Sequence, residues 1–196
     1  MPTVKEVLND TKKRLKEQGI DTYSLDSSLL VSEVTGLTKI QLVTHDRDEV
    51  TEEQINRLEN LVKERLKNKP MQYILGHCEF MGLDFKVTEN TLIPRGDTEN
   101  IVEEVIATIE NSGYNNVLDM CTGTGAIAIS VAHYTKAKVT ASDISSKALE
   151  VARENAKILN ADVNFIESDL FENINETFDV LVSNPPYIES EVIPTL

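Results

Sequence analysis

Apolar positions in the first 68 residues recur at helical spacing. Val4, Val7, Leu8, Thr11 and Leu15 fall at i, i+3, i+4, i+7 and i+11, one face of a helix. Thr3, with Glu6 three residues on, has the pattern of a capping box. A second apolar group, Leu25, Leu29, Leu30, Val31 and Val34, stops at Gly36, a helix-ending residue. Thr51 with Gln54 opens a longer helix whose stripe is Ile55, Leu58, Leu61, Val62 and Leu66. Three or four short helices with polar outer faces are therefore expected to form a small bundle.

The period changes after Pro70. "HCEFMGLDFKVT", residues 77–88, alternates and turns at Met81-Gly82, which predicts a β-hairpin. "LIPRGDTEN" then leads into a helix from near Asp97 to about Glu110. From Asn116 onward, strands read over 117–120, 138–142, 163–166 and 180–182 alternate with helices over about 125–134 and 146–159. Such alternation argues for an α/β domain, a parallel sheet with helices on its faces. The organisation predicted is a helical domain over 1–70, a hairpin linker over 71–96 and an α/β domain over 97–196.

Composition narrows the class. Hydrophobic residues make up 40% and charged residues 27%, ordinary for a soluble globular protein. No apolar run reaches the ~18 residues that span a bilayer, so no membrane is expected. The N-terminal MPTVKEVLND lacks the apolar stretch of a signal peptide. Cys78 and Cys121, the only cysteines, have neither metal nor disulfide spacing, which predicts a cytoplasmic protein without a metal site. The net charge of −14 argues against a broad electrostatic grip on nucleic acid.

The chemistry gathers at strand ends. "NVLDMCTGTGAIAIS" reads as strand, tight small-residue loop and helix. Gly123 and Gly125 permit positive φ and close approach of backbone N–H groups to a ligand. Such a loop can hold a pyrophosphate or the amino-acid end of S-adenosylmethionine. Asp119, ending the strand, can face a cofactor ammonium or order the loop. Asp143 ends the second strand, where it can accept both ribose hydroxyls or cap the helix beginning near Ser145. Asp169 stands just past the third strand, where it can read an adenine edge while Leu170 or Phe171 covers the ring. The alternative there is a surface turn with a packed Phe. All three stand at the edge where open α/β sheets bind ligands.

The fourth strand runs into "SNPPYIES". The Asn184 side-chain oxygen and the Pro185 carbonyl can both accept hydrogen bonds from a planar NH2 group. Pro185 and Pro186 stiffen the backbone, and the Tyr187 ring can lie against the planar group. That arrangement suits methyl transfer to an amide or an exocyclic amine.

"LDMCTGTGAIAIS", "ASDIS", "SDLF" and "SNPPYI" together resemble the S-adenosylmethionine-dependent N5-glutamine methyltransferases of peptide chain release factors, the HemK type. "PMQYILGHCEFMGLDFKV" and "LIPRGDTE" are similar to that family's linker hairpin and the lead-in to its catalytic domain, and "DSSLLVSEVTG" fits its small substrate-recognition domain. The resemblance implies a Rossmann-like class I methyltransferase sheet, incomplete at about four parallel strands, behind a helical bundle and a hairpin. It implies methylation of the glutamine of a GGQ loop in a release factor. By motif position, Cys121, Thr122, Gly123, Thr124 and Gly125 cradle the cofactor's methionine end and Asp143 binds its ribose. Leu170, after Asp169, lies against adenine. Asn184 touches cofactor and target, and Pro185, Pro186 and Tyr187 complete the amide site. Cys121 stands where the family more often has glycine, and Gly96 where it often has proline.

The family's sheet continues beyond its fourth strand, so the chain is expected to be shortened at its C-terminus. Strand four would be an exposed edge, open to self-association, and activity would be weak or absent. Two other readings stay open. One is a nucleic-acid exocyclic-amine methyltransferase, which NPPY alone also fits. The other is a catalytically impaired fragment that binds cofactor or a partner.

Overall fold

The structure, a computed structural model, describes residues 1–186. The chain divides into two compact units, Met1–Leu75 and a second beginning at Gly76.

The first unit holds α1 (Val4–Glu17), α2 (Tyr23–Thr35), α3 (Gln41–Thr44), α4 (Glu52–Leu66) and α5 (Met71–Leu75). The expected capping box of α1 forms, and Thr51 with Gln54, expected only to open α4, makes a second. The Thr3 hydroxyl accepts the Glu6 N–H while the Glu6 carboxylate accepts the Thr3 N–H, and Thr51 and Gln54 repeat the exchange at α4. Each box satisfies two of the donors that a helix start leaves unpaired. Gly36, at φ 73, ends α2 in the left-handed conformation. The core is built from Val4, Leu15, Leu30, Val31, Leu58 and Val62, with their neighbours. Residue 71, where the sequence places the start of the linker, opens α5, whose Met71 and Ile74 pack on this core. One expected core position is wrong. Leu25 is 49% exposed, because the face of α2 that turns inward runs through Asp26, Ser27, Leu30, Val31 and Val34. Asp26 can occupy it because its Oδ2 accepts hydrogen bonds from Arg65 Nε and Thr22 Oγ1, each at 2.8 Å.

The second unit opens with the antiparallel hairpin β1 (His77–Phe80) and β2 (Leu83–Lys86). Phe80 pairs with Leu83, so Met81 and Gly82 alone make the turn. Both have positive φ, 52 and 71, as a two-residue turn matched to strand twist requires. Phe80 and Phe85 meet edge to face, ring centroids 6.1 Å apart, and both are fully buried. Each such ring contributes about 1.5–3 kcal/mol of burial.

There follow α6 (Gly96–Ser112), β3 (Asn116–Met120), α7 (Ala126–Tyr134), β4 (Lys138–Asp143), α8 (Ser146–Ile158), β5 (Val163–Glu167) and β6 (Val180–Ser183). β3 to β6 form a parallel sheet in the order β5-β4-β3-β6. In-register residues share a face, and the face with Val117, Val139, Ala141 and Val182 packs in one cluster with residues of the hairpin, α6, α7 and α8. The chain steps outward from β3 to β4 and β5, then returns to the opposite side of β3. That reversal is a topological switch point, and it opens a crevice beyond the carboxyl ends of β3 and β6. Among the described residues β6 is one edge of the sheet and β5 the other, and Leu181 on β6 is 51% exposed.

Candidate active site

Residues 121–125 join β3 to α7 in a loop whose odd positions are all left-handed: Cys121 at φ 63, Gly123 at 57 and Gly125 at 81. The loop is tied to its surroundings. Thr122 N–H donates to the Ser142 carbonyl at 2.9 Å, and Gly125 N–H donates back to the Thr122 carbonyl at 2.9 Å. Gly125 is required twice over. Its φ disfavours side chains, and a Cβ there would stand 2.8 Å from Ile129 Cδ1 and 3.2 Å from Ala152 Cβ. At Gly123 the same added atom meets nothing within 4 Å, leaving φ as the sole constraint.

Asp119 lies on the inner face of the sheet, in register with Ala141 and Val182, and is wholly buried. Its Oδ2 accepts the Thr122 hydroxyl at 2.5 Å and the Ala128 N–H at 3.2 Å. Of the two roles the sequence leaves open, this oxygen orders the loop. The other, Oδ1, is buried without a partner. Burial pushes the carboxyl up to about 7, against the pull of those two donors.

Asp143 also serves the loop. Its Oδ2 accepts the Gly123 N–H and its Oδ1 the Ser145 N–H, both at 2.9 Å. The cap of α8 is therefore not Asp143 but Ser145, whose side chain accepts the Ala148 N–H. The Gly123 donor, expected to be free for a ligand, is taken by this carboxylate. Two carboxylate oxygens offer about four acceptor sites, so Asp143 keeps capacity beyond these two bonds.

Beyond β5, Ser168 fixes the turn: its hydroxyl donates to the Leu170 carbonyl at 2.9 Å and accepts the Asn173 N–H at 3.0 Å. Asp169, Leu170 and Phe171 on this turn are exposed. Phe171, at 59% exposed, is not the packed ring of the alternative sequence reading. Ile144, which follows Asp143 at the end of β4, is 66% exposed, an apolar side chain that sequence reasoning passed over.

One cleft gathers the loop and Asn184. It is lined by Cys121, Thr122, Gly123, Thr124, Ala126 and Ile127 from the loop and α7, and by Asn184 past β6. Phe80, Leu92, Ile93, Pro94, Arg95 and Thr98 complete the lining. Asn184 lines this cleft together with the glycine loop because β6 lies beside β3 and Ser183 Oγ donates to the Met120 carbonyl at 2.7 Å. Pro185 and Pro186 are exposed. Asp119, Gly125, Asp143, Asp169, Leu170, Pro185 and Pro186 are not among the lining residues, and Tyr187 lies outside the described residues. The segment from Leu92 to Thr98 is the part of the wall that motif reasoning missed. Its signal is a rigid "LIP" before a helix start, which brings Arg95 to the cleft. The Cys121 thiol is raised by burial and by the carboxylates of Asp143, Asp119 and Asp169, which outweigh the Ser183 hydroxyl, so it is a neutral group. Among the described residues no cluster of ligands suits a metal ion, and no helix is long and apolar enough to cross a membrane.

Comparison with known proteins accounts for both units. Residues 6–76 match the PrmC N-terminal domain family and residues 100–194 the methyltransferase small domain family. A release factor glutamine methyltransferase of Clostridium acetobutylicum is 41% identical over 98% of this chain and 70% of its own length. One of Fusobacterium nucleatum is 43% identical over 97% of this chain, which spans 55% of that protein. Among solved structures, a Pyrococcus abyssi tRNA (uracil-54, C5)-methyltransferase in complex with S-adenosyl-L-homocysteine superposes with a TM-score of 0.49. It is 26% identical over 56% of this chain and 28% of that one. With a parallel sheet reversing at β3, Asn184 in one cleft with the glycine loop, and relatives matching it almost end to end, the chain belongs to the release factor glutamine methyltransferase family.

Proposed function

We propose that this chain carries the S-adenosylmethionine site of a protein methyltransferase. Its acceptor is the side-chain amide nitrogen of the glutamine in a release factor's GGQ loop. One observation carries the reading: Asn184 and residues 121–124 line the same cleft. The residues present suit the cofactor. The orphaned Asp119 Oδ1 is an acceptor with no protein donor, which suits an ammonium group or a water that bridges to one. Asp143 has acceptor capacity left for ribose hydroxyls. Ile144 and Leu170 offer exposed apolar side chains to the flat faces of adenine. When bound, the cofactor supplies an electrophilic sulfonium methyl.

An amide nitrogen is a poor nucleophile because its lone pair is delocalised. The protein's task is therefore to orient it. Asn184 Oδ1 and the Pro185 carbonyl accept its two N–H bonds, and the proline pair holds that carbonyl still. Tyr187 is assigned to the amide by its place in the motif. Catalysis is positioning plus electrostatics, and Cys121, a neutral thiol, is not a nucleophile in it. The helical unit, Met1–Leu75, is the part that recognises the release factor.

The test compares the chain with Asn184→Ala, using labelled cofactor and a release factor, with RNA as a competing acceptor. Transfer to the release factor should fall at least ~100-fold in the variant, the scale of losing one positioned hydrogen-bonding group, while calorimetry shows most cofactor affinity retained. Equal turnover, or label arriving on RNA instead, would defeat the proposal.

A further inference from the structure

Asn155 is fully buried in the last turn of α8. Every hydrogen-bonding group of its amide is in use. Oδ1 accepts the Lys86 N–H at 2.8 Å, and Nδ2 donates to the Lys86 carbonyl at 3.0 Å and to the Thr124 carbonyl at 2.9 Å. Toward Lys86 the side chain behaves as one more peptide group on the open edge of β2. Toward Thr124 it fixes a carbonyl of the glycine loop. One turn earlier on the same helix face, Ala152 is the small residue against which Gly125 is pressed. Glutamine carries the same groups but on a stem one methylene longer, aspartate loses both donors, and serine cannot span both partners.

We infer that Asn155 is a positioning residue that locks the glycine loop to the hairpin, so that the parts of the cleft wall carrying Thr124 and Phe80 keep a fixed spacing. Phe80 is on β1, β1 pairs with β2, and Lys86 of β2 is held by Asn155. The inference rests on the cofactor reading given above, and it assigns Asn155 no contact with the cofactor itself.

The experiment titrates S-adenosylmethionine calorimetrically into the chain, Asn155→Asp, and a control, Val105→Ala, that removes core packing from α6 without touching the loop. Hydrogen exchange of the Lys86 and Gly125 amides is followed in parallel. Expected is a loss of affinity of at least tenfold in Asn155→Asp and less than twofold in the control, at a temperature where all are folded. Faster exchange at both amides should accompany the first. Undiminished affinity in a folded Asn155→Asp, or an equal loss in the control, overturns the inference. If the unsubstituted chain fails to bind, the cofactor reading is what fails. In that case, or if Asn155→Asp does not fold, exchange in the unsubstituted chain decides. Joint opening of Lys86 and Gly125 supports the lock, and independent opening refutes it.

Discussion

At the scale of single residues, Asp119 sets the pH response of the site. Its carboxyl is raised to about 7 by burial, so the folded state keeps a proton that the unfolded chain releases near its ordinary value of 3.8. The unfolded state then binds fewer protons between those values, and stability falls as pH rises through them, with the penalty complete above the upper one. In a thermal series from about pH 5 to about pH 8, the chain should lose more of its melting temperature than Asp119→Asn does. Parallel curves would remove Asp119 as the source. The sequence places Asp119 at a strand end but does not say which way it faces. Only the register with Ala141 and Val182 shows that it lies inward. Cys121 is the converse case. Its place in the loop is plain from the motif, whereas its φ of 63 is visible only in the structure. A non-glycine residue there sustains a cost of about 1–2 kcal/mol.

At the scale of elements, helix starts and stops were legible because they are local. Thr3 with Glu6, Thr51 with Gln54, and Gly36 each act within a few residues, and all three perform as the sequence predicts. The inward face of α2 was not legible, because the charge of the buried Asp26 is met by a partner 39 positions away, Arg65. This pair joins α2 to α4 with little solvent around it, the side chains being 4% and 15% exposed. Removing one partner of a buried pair leaves the other uncompensated, so Asp26→Ala should lower the unfolding free energy by about 3–5 kcal/mol. Leu25→Ala, one residue away but exposed, should stay within about 0.5 kcal/mol. Urea denaturation of both variants checks the contrast. Similar losses at the two positions would show that the ion pair does not anchor α2.

At the scale of the molecule, four parallel strands could be read from alternation, and their order could not. That order gives the site its form, because β6 returning to the side of β3 brings Asn184 to a loop some sixty residues earlier. The net charge of −14 acts at this scale too. Labelled tRNA at about 0.15 M salt should bind more weakly than ~100 µM, the weak end of non-specific nucleic-acid affinity. Tight binding with a steep salt dependence would favour a nucleic-acid acceptor instead. The hairpin turn shows the same division between near and far. Met81 sits at φ 52, a conformation usually left to Gly, Asn or Asp. Its N–H donates to Glu99 at 2.6 Å and its carbonyl accepts the Tyr134 hydroxyl at 2.7 Å. The instruction for this bend is therefore written partly in α6 and α7. A peptide cut from residues 77–86 would carry the strands without the full means to fold them back.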